Sequence, residues 1–76
     1  MKVEFSKSFD KQTSRIKDKK LLGRIGTVIK NVMNCNSLAE VTNIKPITGH
    51  PGYYRIRLGK YRIGISLEGD TVWFHF

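Results

Sequence analysis

The stretch from Tyr53 to Leu67 alternates between apolar and polar side chains with a period of two residues. That period is typical of β-strands with one buried face, and Gly59-Lys60 in the middle predicts a tight turn. We therefore predict a two-stranded hairpin in which only Gly59 and Lys60 are unpaired. One face carries Tyr54, Ile56, Leu58, Tyr61, Ile63, Ile65 and Leu67. The other face carries Tyr53, Arg55, Arg57, Arg62, Gly64 and Ser66.

This register places Arg57 directly opposite Arg62, and Arg55 opposite Gly64. Like charges that face each other across a sheet destabilise it. A bound anion would relieve the repulsion, so the pair of arginines indicates a site for phosphate.

Two helices are predicted before the hairpin. The first begins after a cap at Ser6 or Ser8 and is expected to end near Asp18. The second is expected from Lys19 to Met33 or Cys35, capped by Asp18, because its apolar residues recur at helical spacing.

Three further strands complete the prediction. Lys2 to Phe5 is a short strand, and Ile44 to Ile47 is a short or edge strand because Pro46 cannot donate a ladder hydrogen bond. A turn at Gly69-Asp70 leads into a last strand, Thr71 to Phe76.

The register of the last strand predicts two further pairings. Ile63 would face Phe76 on the apolar side of the sheet. On the other side, Arg55, Gly64 and His75 would form one row, with a depression at the glycine. A slip of one residue would remove this arrangement.

The predicted fold class is α+β: a single domain over residues 1–76 with two helices covering the apolar face of a small, mostly antiparallel sheet. The opposite face is basic and open. Fourteen Lys and Arg against six Asp and Glu give a net charge of +8. This charge favours nucleic acid as a partner, then an acidic protein, then an anionic membrane.

The single cysteine, Cys35, excludes an internal disulfide and fits a reducing cytoplasm. The N-terminal residues lack the apolar run of a signal peptide, and no segment reaches transmembrane length. We expect a cytoplasmic protein without a membrane partner.

The sequence lacks the residue sets that most catalytic mechanisms require. No set of metal ligands, no Gly-rich phosphate loop and no carboxylate pair within the sheet is present, so no metal or small-molecule cofactor is expected. The remaining residues suit RNA, because guanidinium groups bind phosphate and aromatic rings stack on bases. The candidate catalytic residues are Arg55, Arg57, Arg62 and His75. The candidate RNA-binding residues are Tyr53, Lys60, Trp73 and Lys45.

Each candidate also has a structural interpretation. The arginines suit a solvated outer sheet face, and Trp73 suits packing at a sheet margin. His50, between a glycine and a proline, is expected to be a loop residue, and Tyr61 a core residue.

The run from Gly49 to Gly64, Gly-His-Pro-Gly-Tyr-Tyr-Arg-Ile-Arg-Leu-Gly-Lys-Tyr-Arg-Ile-Gly, resembles the central hairpin of the RelE/ParE superfamily of bacterial toxins. The resemblance implies a RelE-like fold and a toxin of a type II toxin–antitoxin system. Its RelE branch cleaves mRNA in the ribosomal A site, and its ParE branch inhibits DNA gyrase. Arg55, Arg57 and Arg62 match basic positions of the RelE branch, which favours a metal-independent endoribonuclease.

The alternatives are a ParE-like gyrase inhibitor and a catalytically inactive RNA-binding variant. The partners implied by the resemblance are a cognate antitoxin, mRNA and the ribosome. RelE-type proteins usually continue beyond the last strand with an Arg and then a Tyr or His. This sequence stops at Phe76, so we expect either a missing C-terminal tail or a natural short variant. His75 has no secure counterpart in the family.

Overall fold

Two helices and five strands make up the chain, and the computed structural model describes all residues from Met1 to Phe76. The elements are β1 (Lys2–Phe5), α1 (Lys7–Ser14), α2 (Lys19–Asn34), a 3₁₀ turn (Leu38–Glu40), β2 (Ile44–Pro46), β3 (Tyr53–Leu58), β4 (Tyr61–Glu68) and β5 (Thr71–Phe74).

The strands form one sheet in the order β1-β5-β4-β3-β2. β1 runs parallel to β5, and the other three pairings are antiparallel. The predicted α+β class and mostly antiparallel sheet are confirmed. β2, which contains Pro46, lies at the edge of the sheet as expected.

The register of the central hairpin is the predicted one. Arg57 pairs with Arg62 and Arg55 with Gly64. Gly59 has a φ of 63°, a left-handed conformation that suits glycine and permits the tight turn.

The helices bury their apolar side chains against one face of the sheet. Phe9 is the buried residue of α1, while Ile25 and Val32 are those of α2. The rest of the buried apolar core consists of Leu38, Ile56, Ile63, Ile65, Val72 and Phe74. A Cβ atom added at Gly23 or Gly26 of α2 would meet nothing within 4 Å, so neither glycine marks a close helix contact.

α1 ends earlier than predicted, at Ser14 rather than near Asp18. The N–H groups of Arg15 and Ile16 donate to the carbonyls of Gln12 and Thr13, three residues earlier in the chain. This tighter hydrogen-bond pattern is typical of a helix end. Asp18 caps α2 as predicted, since its carboxylate accepts from the N–H groups of residues 20 and 21 at 3.0 and 3.2 Å. Of the two candidate caps for α1, Ser6 is the one used.

The predicted pairing of Ile63 with Phe76 is wrong. The N–H of His75 donates to the carbonyl of Gly64 at 2.9 Å, but the N–H of Gly64 donates to the carbonyl of Phe76 at 3.0 Å. Two residues therefore oppose one, as in a β-bulge. A Cβ atom built on Gly64 would overlap the Phe76 ring. Phe76 thus lies on the open face and fills the predicted depression.

Neither α1 nor α2 combines the length and the apolar composition that a membrane-spanning helix requires.

Candidate nucleic-acid interface

A cleft of about 280 Å³ opens on the face of the sheet that the helices leave uncovered. Its five lining residues are Asn43, Lys45, Arg55, Arg57 and Arg62. All of them are exposed, and none is apolar or acidic. Four positive side chains thus line one concave surface.

Strand register brings these side chains together. Arg55 and Arg57 are two residues apart in β3 and therefore point to the same face. Arg57 pairs with Arg62 of β4, and Arg55 pairs with Lys45 of β2. The cleft thus contains two like-charged cross-strand pairs, where the hairpin alone predicted one.

This arrangement costs stability in the free protein and favours anion binding. Like charges directly opposite each other are destabilising. Guanidinium groups form charge-assisted, often bidentate hydrogen bonds to phosphate oxygens. A cleft lined by charges of one sign also raises the local concentration of anions. The chemistry of the cleft is that of a phosphate-binding site.

A second group of side chains lies beside the cleft on the same face. The Ser66 hydroxyl lies 2.6 Å from Nε2 of His75. The rings of Tyr53 and His75 have centroids 5.8 Å apart with an interplanar angle of 31°. Tyr53 is 46% exposed, so its ring remains accessible to a base.

His75 is held near the cleft but does not line it. Its strand partner is Gly64, which also pairs with Arg55, and the ring of Phe76 covers that glycine. The backbone therefore forms the predicted row of Arg55, Gly64 and His75. The Phe76 ring occupies the position where a depression was predicted.

Two predicted RNA-binding residues lie apart from the cleft. Trp73 is half-buried in β5, between Glu4 of β1 and Ser66 of β4. Lys60, in the hairpin turn, lines a separate groove with residues of α2 such as Arg24. His50 lies in a loop, as predicted. Tyr61, predicted as a core residue, is half-buried and packs against the core.

Asn43 is the cleft residue that the sequence prediction missed. It precedes β2 and has a φ of 61°, the only positive φ outside glycine in the chain. Its carbonyl accepts the N–H of Arg57 at 2.9 Å. The available signal was an asparagine immediately before a strand, because asparagine tolerates this conformation in turns.

No group of three or more His, Cys, Asp or Glu side chains is placed to hold a metal ion. Cys35 is free and half-buried.

The fold and the cleft together define a small basic α+β protein suited to binding polyanions. No protein-family model matches the chain. Toxin RelE3 of Methanocaldococcus jannaschii is 44% identical over 75 residues, which cover 97% of this chain and 84% of that protein.

Comparison with solved structures also matches this chain to a RelE protein. The crystal structure of a RelB-RelE antitoxin-toxin complex from Methanococcus jannaschii contains a chain with 41% identity and a TM-score of 0.81. The match covers 92% of this chain and 81% of that one. The chain belongs to the RelE family of toxins, the toxin components of toxin–antitoxin systems. The resemblance given by its hairpin sequence is therefore confirmed.

Proposed function

We propose that this chain is an endoribonuclease that cleaves mRNA on the ribosome without a metal ion. The observation that carries the proposal is the cleft with four cationic and no acidic side chains, built on a RelE-family fold. Family membership supports ribosome-bound mRNA as the substrate.

The reaction is an intramolecular transesterification at a phosphodiester of the RNA. A ribose 2′-oxygen attacks the adjacent phosphorus, forming the O2′–P bond, and the bond from phosphorus to the 5′-oxygen of the next nucleotide breaks. The products carry a 2′,3′-cyclic phosphate and a 5′-hydroxyl. One proton leaves the 2′-hydroxyl, and one is delivered to the leaving oxygen.

The cleft supplies charge stabilisation for this reaction. Arg57 and Arg62 approach from opposite strands and would hold the non-bridging phosphate oxygens between them. Negative charge grows on these oxygens in the transition state, where fixed cations stabilise it most. Arg55 and Lys45 would neutralise the flanking backbone.

Proton transfer near neutral pH suits an imidazole, and the residues that line the cleft include no histidine. We assign proton transfer to His75, whose imidazole lies on the same face beside Tyr53. Tyr53 would stack on a base next to the cleaved bond.

We also propose a cognate antitoxin as partner of this chain. The matching solved structure is a complex of RelE with the antitoxin RelB, and a net charge of +8 favours a partner with an acidic segment. We also infer a cytoplasmic location, because the ribosomal substrate and such a partner would both be met there. Binding of the antitoxin should weaken as salt concentration rises.

The test is induction of the chain in bacterial cells, with growth and mRNA 5′ ends followed over time. We expect growth arrest and new mRNA ends within translated regions. The double variant Arg57→Ala/Arg62→Ala should remain folded, because both side chains are exposed, and should cause neither effect.

The matched control is Lys7→Ala/Lys11→Ala on the exposed surface of α1, which removes the same charge far from the cleft. It should remain toxic. A folded Arg57→Ala/Arg62→Ala variant that still cleaves mRNA would contradict the proposal. DNA breaks and an SOS response without mRNA cleavage would indicate a gyrase inhibitor instead.

A further inference from the structure

Asn43 differs chemically from every other side chain in the cleft. Lys45, Arg55, Arg57 and Arg62 carry only hydrogen-bond donors. The Asn43 amide offers a carbonyl oxygen, which is the single side-chain acceptor among the lining residues. Any ligand group that must donate a hydrogen bond to a lining side chain therefore has one possible acceptor.

The backbone holds Asn43 in place. Its φ of 61° lies in the left-handed region, which asparagine adopts more readily than most residues other than glycine. The hydrogen bond from the Arg57 N–H to the Asn43 carbonyl ties this turn to one of the facing arginines. Asn43 thus has a fixed position relative to the phosphate site.

The side chain itself is not used by the fold. In turns, asparagine often bonds to its own backbone two residues further on. None of the side-chain hydrogen bonds within the protein involves Asn43. The residue is exposed, so its amide is free for a ligand.

We propose that Asn43 makes the cleft selective for RNA over DNA, because its Oδ1 accepts a hydrogen bond from a ribose 2′-hydroxyl next to the bound phosphate. The 2′-hydroxyl is the group by which a protein distinguishes RNA from DNA. The four cations bind phosphates of either nucleic acid equally well and supply no such discrimination. This inference rests on the proposed function, since it assigns a contact within the same substrate complex.

The test compares the binding of three single-stranded oligonucleotides of one sequence: RNA, DNA and 2′-fluoro RNA. The 2′-fluoro sugar keeps the ribose conformation but cannot donate a hydrogen bond. We expect the unmodified chain to bind RNA about 2- to 10-fold more tightly than 2′-fluoro RNA, the range of one hydrogen bond. Affinities come from fluorescence anisotropy, with gels confirming that the RNA stays intact.

The informative variant is Asn43→Gly, because glycine adopts a φ of 61° without strain. This variant should bind RNA, 2′-fluoro RNA and DNA with equal affinity, and its affinity for DNA should equal that of the unmodified chain. Asn43→Asp retains an oxygen acceptor but adds a negative charge, so it should bind every oligonucleotide more weakly and keep the preference for RNA. Asn36→Gly, in an exposed turn outside the cleft, is the control and should match the unmodified chain.

Two results would overturn this assignment. One is equal binding of RNA and 2′-fluoro RNA by the unmodified chain. The other is an Asn43→Gly variant that keeps the preference. Failure of the proposed function has a different signature: a folded Arg57→Ala/Arg62→Ala variant would still cleave mRNA.

Discussion

Arg57 lies directly opposite Arg62 across the β3–β4 hairpin, and both guanidinium groups line the same cleft. The pair is one residue removed from the turn-flanking pair of Leu58 and Tyr61. In a two-residue hairpin this position is a non-hydrogen-bonded pair, in which opposing side chains come closest. The N–H of Arg57 accordingly points away from β4, to the carbonyl of Asn43.

The first prediction is that Arg57→Gln stabilises the free protein. Removing one of two opposed charges should raise the free energy of unfolding by about 0.2–1 kcal/mol. The gain should shrink at high salt, because salt screens exposed charges. Urea unfolding at low and high salt measures both effects.

Lys2→Gln is the control for this change. Lys2 is an exposed strand residue that faces Thr71 rather than a cation. Its replacement by glutamine lowers the net charge by the same amount as Arg57→Gln. An equal gain from Lys2→Gln would show that overall charge, rather than the facing pair, is responsible.

The second prediction concerns the contact between Gly64 and Phe76. Gly64→Ala would force the Phe76 ring off the sheet, because the new Cβ overlaps it. We expect a loss of about 1–3 kcal/mol in unfolding free energy. Gly26→Ala is the matched control: nothing surrounds that position, so alanine should stabilise α2 by up to about 1 kcal/mol.

A double-mutant cycle separates the contact from general strain. Gly64→Ala should cost much less unfolding free energy in a chain that already carries Phe76→Ala than it does in the unmodified chain. Independent, additive losses would contradict the placement of the ring.

The third prediction is that Ser66→Ala frees the imidazole of His75. Ser66 is buried, with 4% of its surface exposed, and its hydroxyl lies 2.6 Å from Nε2 of His75. Losing the hydrogen bond should cost about 0.5–1.5 kcal/mol. The ring resonances of His75 and the neighbouring Tyr53 should shift in NMR spectra.

Ser14→Ala serves as the comparison. Its hydroxyl donates to the Lys11 carbonyl on the exposed surface of α1, so little change in stability is expected. Unchanged His75 resonances in Ser66→Ala would contradict the hydrogen bond.

The hairpin was predictable from sequence because two independent signals agree. Side-chain alternation fixes which residues share a face, and Gly59-Lys60 fixes the turn. Together they determined that Arg57 faces Arg62, as the structure confirms. The apolar spacing of α2 and the cap at Asp18 were equally informative.

The rest of the cleft depends on contacts that sequence spacing does not specify. Lys45 meets Arg55 only once β2 is placed beside β3, across a six-residue connection between Pro46 and Tyr53. Asn43 directly precedes β2, so its position in the cleft depends on that same pairing. Phe76 escaped prediction because a single bulge at Gly64 moves its ring to the opposite face.

We propose above that the arginine-lined cleft cleaves RNA. The most direct measurement adds the purified chain to ribosomes programmed with a defined mRNA and determines the chemistry of the new ends. We expect 2′,3′-cyclic phosphate and 5′-hydroxyl ends with the unmodified chain, and intact mRNA with Arg57→Ala/Arg62→Ala. Equal cleavage by this variant, or intact mRNA with the unmodified chain, would contradict this proposal.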